Sequence, residues 1–220
     1  AGTPRDRRAA AADALSNALA TAAVRARPRR TVYQALCDAA DTFGRDHRVV
    51  EDVRGNQESY GDLLRATLAF SRLAPRLGGE DEVVGVMMPN LSTTVAMLIG
   101  FGAAGRVPAM LNYTSGAEAL RGACVAAKIS TVVTSRKFVE AARLYPVLDA
   151  LCDQRIVFVE DLRSQFGLRD KLWLVGWARW RPRAVVRHAD PGATAVVLFT
   201  SGSEARPKGV ALSHDALLAN

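Results

Sequence analysis

The residues of this chain best suited to chemistry lie at 200–209, where the string TSGSEARPKG follows an apolar run at 193–199, ATAVVLF. A strand that gives way to hydroxyl residues, glycine and then lysine is suited to holding polyphosphate. Small residues let backbone N–H groups approach phosphate oxygens, and a turned backbone makes an anion-binding nest. Thr200, Ser201 and Ser203 add hydroxyl donors, Gly202 allows close backbone approach, and Lys208 supplies a compact positive charge. Pro207 fixes φ ahead of the lysine, and Gly209 is expected to relax the chain after it. A Walker loop is excluded, because counting GxxxxGK[ST] from Gly202 puts Pro207 where the second glycine belongs. GxGxxG is matched only by GFGAAG at 100–105, which closes the helical pattern 92–104 and does not stand between a strand and a helix as a dinucleotide fingerprint must. A short Ser/Gly stretch after a strand is ordinarily a surface turn; the length of this string, and the Val-Ala-Leu-Ser-His after it, argue for more.

Other reactive pairings carry less. His47 and Asp52 satisfy HxxxxD, the spacing of a histidine base and its orienting aspartate in glycerolipid acyltransferases. Residues 49–53 read as a strand, however, and no EGTR-like block follows, so the match is read as chance. Ser213 and His214 are adjacent and do not face each other productively, and no GxSxG elbow is present; Ser213 reads as the N-cap of a helix beginning near Asp215. Cys37, Cys124 and Cys152 are odd in number, widely spaced and without CxxC pairing, which fits reduced structural thiols and no metal site. Trp173, Trp177 and Trp180 are spaced i, i+4, i+7 beside Arg179, Arg181 and Arg183. Core or domain-interface packing is the plain reading; a membrane-surface or partner-docking patch is the sharper one.

The elements that must position the 200–209 string form the most regular feature of the chain. Apolar strand-like runs begin at Val83 (VVGVMM), Val107 (VPAML), Thr131 (TVVT) and Ile156 (IVFV), 24, 24 and 25 residues apart. Helical patterns at 92–104, 117–128 and 138–151 separate them. Strands buried on both faces read as continuous apolar runs, with the helices as crossovers. The expected fold is therefore α/β with a largely parallel sheet. Ahead of it, 32–43 reads as a helix with Val32, Leu36, Ala39, Ala40 and Phe43 on one face. Segments 48–53 and 57–60 read as a strand pair turned at Gly55-Asn56, and 63–77 as a helix stopped by Gly78-Gly79.

The 220 residues, 49% hydrophobic with a mean hydropathy of +0.04, suffice for one sizeable core, or for one domain and part of a second. The net charge of +7 is concentrated in residues 1–30, where seven arginines face two aspartates; the other 190 residues carry only +2. A basic arm on a nearly neutral body, with no recognised motif, argues against nucleic-acid binding. No run of about eighteen apolar residues spans a membrane, and the alanine-rich 9–24 lacks the apolar centre of a secretory signal. Residues 1–30 are read as a basic linker or helical arm, and 31–220 as the folded part.

The full string LFTSGSEARPKGVALSH (198–214) resembles the phosphate loop of the adenylate-forming superfamily, which includes acyl-CoA synthetases and peptide-synthetase adenylation domains. EDVRGNQESY (51–60), MMPN (87–90), PAMLNYTSG (108–116) and TVVTSRKF (131–138) are similar to one group in particular. That group is the acyl-carrier-protein synthetase half of bifunctional 2-acylglycerophosphoethanolamine acyltransferases. Glu204 and Asn112-Tyr113-Thr114 are its discriminating residues. The resemblance covers about 31–220 and implies the N-terminal portion of an adenylation domain, with Thr200, Ser201, Gly202, Ser203, Glu204, Lys208 and Gly209 binding ATP. It implies an ATP- and Mg2+-dependent enzyme that activates a fatty acid and passes it to acyl carrier protein or coenzyme A, then to a lysophospholipid in the fusions. A cytoplasmic location, at the inner face of the membrane for the full-length protein, goes with that reading. A general acyl- or aryl-CoA ligase and a non-catalytic ATP- or partner-binding module are the rivals. Ala205 stands where the family usually has glycine, at a cost of roughly 1–2 kcal/mol if that backbone is left-handed. The family's later motifs follow its phosphate loop, so no complete catalytic set is expected within these residues, and the isolated chain is expected not to form acyl-adenylate.

Overall fold

The apolar runs at regular spacing become the parallel core of a six-stranded sheet. The computed structural model describes residues 29–52, 55–78, 83–185, 190–200 and 207–220. After a two-stranded antiparallel hairpin, β1 (Arg48–Glu51) and β2 (Gln57–Ser59), the sheet is built from β3 (Val83–Val86), β4 (Val107–Met110), β5 (Thr131–Thr134), β6 (Arg155–Phe158), β7 (Thr194–Thr200) and β8 (Lys208–Ser213). Their order is β6-β5-β3-β4-β7-β8; neighbours from β6 to β7 run parallel and β8 turns back antiparallel on β7. The strand order reverses after β4, because the chain steps from β3 to β4 on one side and returns to place β5 on the other. In open α/β sheets ligands bind beyond the carboxyl ends of the strands near such a reversal.

The helices divide between the two faces, and side chains alternate to meet them. On one face lie α1 (Val32–Phe43), α2 (Tyr60–Leu73), α3 (Ser92–Ala103) and α7 (Val159–Ser164), whose Leu36, Leu68, Met97, Phe101 and Leu162 pack on Val84, Val86 and Val133. On the other, Leu120, Ala123 and Cys124 of α4 (Ala117–Ala126) cover Ala109, Val132 and Val197. The α2–α3 contact is close because Gly100 has no side chain. A Cβ there would stand 2.6 Å from the Thr67 carbonyl oxygen and 2.8 Å from Phe70 Cβ.

Local chemistry moves several boundaries from their expected places. Ser59 and Asp62 form a reciprocal capping box, so α2 starts at Tyr60 and cuts β2 short. Pro75 ends α2 in a 3₁₀ turn, Ala74–Leu77, before Gly78 at φ 66°. The helix expected at 138–151 is two: α5 (Arg136–Ala141) and α6 (Tyr145–Ala150), separated by Arg143 at φ 53°, with Pro146 opening the second. The buried face of α1 is Tyr33, Leu36, Cys37 and Ala40, not the one running through Val32 to Phe43, which is 62% exposed. Tyr33 decides the rotation, since its hydroxyl donates to the buried Pro182 carbonyl at 2.9 Å. The last strand expected at 193–199 is Thr194–Thr200 and keeps its place, whereas the return strand β8 was not foreseen.

Beyond β6, α7 leads to α8 (Leu168–Trp173) and a single π-turn, Leu174–Ala178. The buried Asp170 clamps α8 to α2, accepting from Arg72 Nε at 3.0 Å, Arg76 Nη2 at 2.6 Å and the Gly167 amide at 3.1 Å. Arg76, then Arg72, hold its carboxyl below the usual carboxylate range against the opposing effect of burial. The chain ends in α9 (His214–Ala219), capped by Ser213, which accepts from the Ala216 amide at 3.1 Å. The sequence reading of Ser213 as an N-cap therefore holds.

Candidate functional site

Every parallel strand of the sheet delivers its carboxyl end to one rim. There β3 ends at Pro89 and Asn90, β4 at the Asn112–Ser115 turn, β5 at Ser135 and Arg136, β6 at Glu160 and Asp161, and β7 at Thr200. Thr200 pairs with Lys208 across the β7–β8 ladder, so the seven residues between them connect the two strands at this rim. Thr200, Lys208 and Gly209 are exposed. Ser201, Gly202, Ser203, Glu204 and Ala205 lie outside the described residues, as does the arm at 1–28.

The register fixes what stands beside the loop. Ala109 of β4 pairs with Val197 of β7, so the turn that opens at Asn112 follows the strand neighbouring the one that ends at Thr200. The Asn112 carboxamide is committed to its own turn, accepting from the Thr114 amide at 3.0 Å and the Thr114 hydroxyl at 2.8 Å. The next residue, Tyr113, packs edge-on against Phe138 with ring centroids 4.9 Å apart. The Asn112-Tyr113-Thr114 turn, one of the features on which the narrower resemblance rests, therefore follows the strand next to β7, while Glu204 lies outside the described residues.

Two contacts set the departure of the loop into β8. The Pro207 ring lies over Gly122 of α4, where a Cβ would come within 3.2 Å of Pro207 Cδ. Gly209 does not relax the chain after the lysine, as its position suggested. It is a strand residue opposite Phe199, and its missing side chain leaves room for that ring, 3.4 Å from where a Cβ would be. At the far end of β8, His214 is buried, and its Nδ1 accepts from the Val32 amide at the start of α1, at 3.3 Å. Burial lowers its proton affinity below the usual histidine range, with Asp215 opposing.

The rim at β5 and β6 is different in kind. The Ser135 hydroxyl donates to Glu160 at 2.7 Å, the Arg136 amide donates to the same carboxylate at 3.1 Å, and the Arg136 guanidinium forks onto Asp161 with two 2.6 Å bonds. Burial would raise the Glu160 carboxyl, but the Ser135 hydroxyl and backbone amides outweigh it and leave it lowered; Arg136 lowers Asp161. Arg136 also lies over the Phe158 ring at 4.3 Å. The polar groups here satisfy one another.

The remaining sequence candidates separate cleanly. Asp52 accepts from the amide and side chain of Asn56, both at 3.0 Å, and so serves the hairpin turn, while the His47 ring stacks with Tyr60 at 6.0 Å. Burial pushes the Cys124 thiol up to about 11 and raises Cys37, which suits structural thiols; Cys152 is exposed. Trp173 packs against the core with Arg72 over its ring at 5.1 Å, Trp180 is exposed, and the Trp177 side chain lies outside the description. Among the described residues no cluster of three carboxylate, imidazole or thiolate groups could hold a metal ion, and no helix is long and apolar enough to cross a membrane.

A glycine- and hydroxyl-rich loop between a parallel strand and a returning lysine strand, at the carboxyl rim of such a sheet, agrees with comparison to known proteins. The AMP-binding enzyme model matches residues 36–220. The chain belongs to the AMP-binding enzyme family. It is 26% identical over 175 residues to equisetin synthetase of Fusarium heterosporum, covering 79% of this chain and 4% of that protein. To acetyl-coenzyme A synthetase of Escherichia coli O157:H7 it is 27% identical over 168 residues, covering 69% of this chain and 26% of that protein. Among solved structures, VinN in complex with 3-methylaspartate superposes with a TM-score of 0.66 at 26% identity, over 86% of this chain and 49% of VinN. The chain thus spans half or less of the relatives it matches. The largely parallel sheet expected from the sequence is that of the N-terminal domain of adenylate-forming enzymes.

Proposed function

We propose that the whole protein activates a carboxylic acid with ATP and hands the acyl group to a phosphopantetheine thiol. The observation that carries the reading is the 200–209 loop, pinned between Thr200 and Lys208 on the carboxyl rim of an AMP-binding-family sheet. A substrate carboxylate oxygen attacks the α-phosphorus, an acyl–phosphate bond forms, and the bond to pyrophosphate breaks. The thiol sulfur then attacks the acyl carbon, loses its proton and releases AMP. Lys208 and the hydroxyl and amide donors of Thr200, Ser201, Gly202, Ser203, Glu204 and Gly209 would hold the β- and γ-phosphates and stabilise the departing charge, a contribution of position and electrostatics. Magnesium, when bound, neutralises phosphate oxygens; no described residue is assigned to it, and it enters with the nucleotide.

Within this reading the acid is a fatty acid, the carrier is acyl carrier protein or coenzyme A, and a lysophospholipid is the final acceptor. Support comes from Asn112-Tyr113-Thr114, the turn that follows β4, and from the strings at 51–60, 87–90 and 131–138. An amino acid is the second reading, favoured by the likeness to VinN, whose solved complexes hold 3-methylaspartate and L-aspartate. Residues 31–220 are then one portion of the adenylation domain and 1–30 a linker. Acid-dependent ATP–pyrophosphate exchange by the full-length protein, over a panel of fatty and amino acids, tests the proposal. Exchange driven by long-chain fatty acids is expected. Exchange driven only by amino acids selects the second reading, and none with any acid leaves a non-catalytic nucleotide-binding module. The isolated 220 residues are expected to show no exchange.

A further inference from the structure

The α8 helix and its π-turn continuation carry apolar residues on two opposite sides. At about 100° per residue, Asp170, Trp173 and Leu174 point one way. Asp170 is clamped to Arg72 of α2 and to Arg76 just beyond it, and Trp173 and Leu174 pack on the core. Leu168, Leu172 and Val175 lie within about 60° of one another on the other side, and are 73%, 65% and 62% exposed. Trp180, one turn beyond, is 76% exposed. The outer face of a surface helix is ordinarily polar, so a Leu-Leu-Val stripe there calls for a partner.

The charges around the stripe say which. Arg169 and Lys171 flank it on its two sides, Arg163 shares a groove with Lys171, and Arg179 shares one with Val175. Between 162 and 185 the sole carboxylate is Asp170, which is buried and paired to Arg72 and Arg76. Arg183, by contrast, is spent on Asp38 and Asp41. Asp46 and Asp62 come near only at the Val175 end, where Arg45, Arg65 and Arg179 outnumber them. An adjoining groove with Phe70, Leu73 and Phe166 in its lining is edged by Arg163 and Lys171. A short apolar ridge in a cationic surround, with tryptophan at its end, is the pattern of a helix that lies in the plane of an anionic bilayer.

We propose that this face, Leu168–Leu172–Val175 with Trp180, docks on an anionic lipid surface, with Arg169 and Lys171 meeting the headgroups. The inference does not depend on the adenylation reading. The test is co-sedimentation of the full-length protein with vesicles of phosphatidylcholine alone, and of phosphatidylcholine with about one-third phosphatidylglycerol. Binding to the anionic vesicles only, weakened by salt, is expected. Leu168→Ser/Leu172→Ser and, separately, Arg169→Gln/Lys171→Gln should each lower that binding at least ~10-fold, with melting temperature unchanged because all four side chains are exposed. A blue shift of tryptophan emission on vesicle addition should vanish in Trp180→Phe. No vesicle binding, or binding indifferent to both double variants, overturns the proposal. So does light scattering that shows a dimer dispersed by Leu168→Ser/Leu172→Ser, which would make the face an interface between copies of the chain.

Discussion

The two ends of the carboxyl rim are built from the same kinds of residues and come to opposite results. At β5 and β6, a serine, an arginine and two acids bind one another, and Arg136 lies on Phe158. At β7 and β8, a threonine and a lysine stand exposed on paired strands, with no ion pair to Lys208 among the described residues. The first arrangement closes a sheet edge. The second leaves the Thr200 hydroxyl and the Lys208 ammonium exposed, and close packing sets the backbone around them: Gly122 admits Pro207, and Gly209 admits Phe199. Residue type alone does not distinguish a binding rim from a structural one; what distinguishes them is whether the donors already have acceptors.

That contrast can be broken at either end. The largest effect is expected at Lys208. Lys208→Ala should lower acid-dependent pyrophosphate exchange by the full-length protein about 100-fold with little change in melting temperature, whereas Asp161→Asn should change exchange less than about twofold. Gly100→Ala supplies the reverse signature. A Cβ set 2.6 Å from the Thr67 carbonyl must push α2 and α3 apart, at about 1–3 kcal/mol by denaturant unfolding, with the KM for ATP unmoved. Gly122→Val is expected to fall between them, raising the KM for ATP about tenfold by displacing Pro207, with far less loss of stability than Gly100→Ala. The smallest effect concerns His214, at the far end of β8. Its folded proton affinity is lowered, so the unfolded chain binds more protons, and the stability it gives is complete above the ordinary histidine range. That stability is lost as pH falls through about 6.5. Thermal unfolding should show a drop in melting temperature across this range that flattens in His214→Asn, whose amide oxygen can still accept from Val32.

Much of the fold is legible in the sequence because strands buried on both faces must be continuous apolar runs, and VVGVMM, VPAML, TVVT and IVFV are such runs. The candidate loop stands out in the sequence for its string of hydroxyls, glycine and Pro-Lys-Gly; the structure places its ends, Thr200 and Lys208, as a strand pair on the rim, and 201–206 lie outside the described residues. What is not legible depends on distant partners. The rotation of α1 follows from a carbonyl at Pro182, 149 residues away. The break between α5 and α6 turns on Arg143 adopting positive φ, which no pattern of apolar residues announces. The strand β8 is hidden because Lys208, Gly209, Val210 and Ala211 are all exposed, so its residues show no buried alternation to read. The self-satisfied cluster of Ser135, Arg136, Glu160 and Asp161 needs β5 and β6 to be neighbours before its residues can meet.

The most direct measurement is an amide-resolved NMR titration of the protein with ATP and magnesium. The account predicts that the largest shifts fall on the Thr200–Gly209 amides and on Asn112 and Tyr113 of the turn after β4, and that Lys208→Ala removes them. Shifts centred instead on Ser135, Arg136 and Glu160, or shifts at 200–209 that persist undiminished in Lys208→Ala, would contradict it.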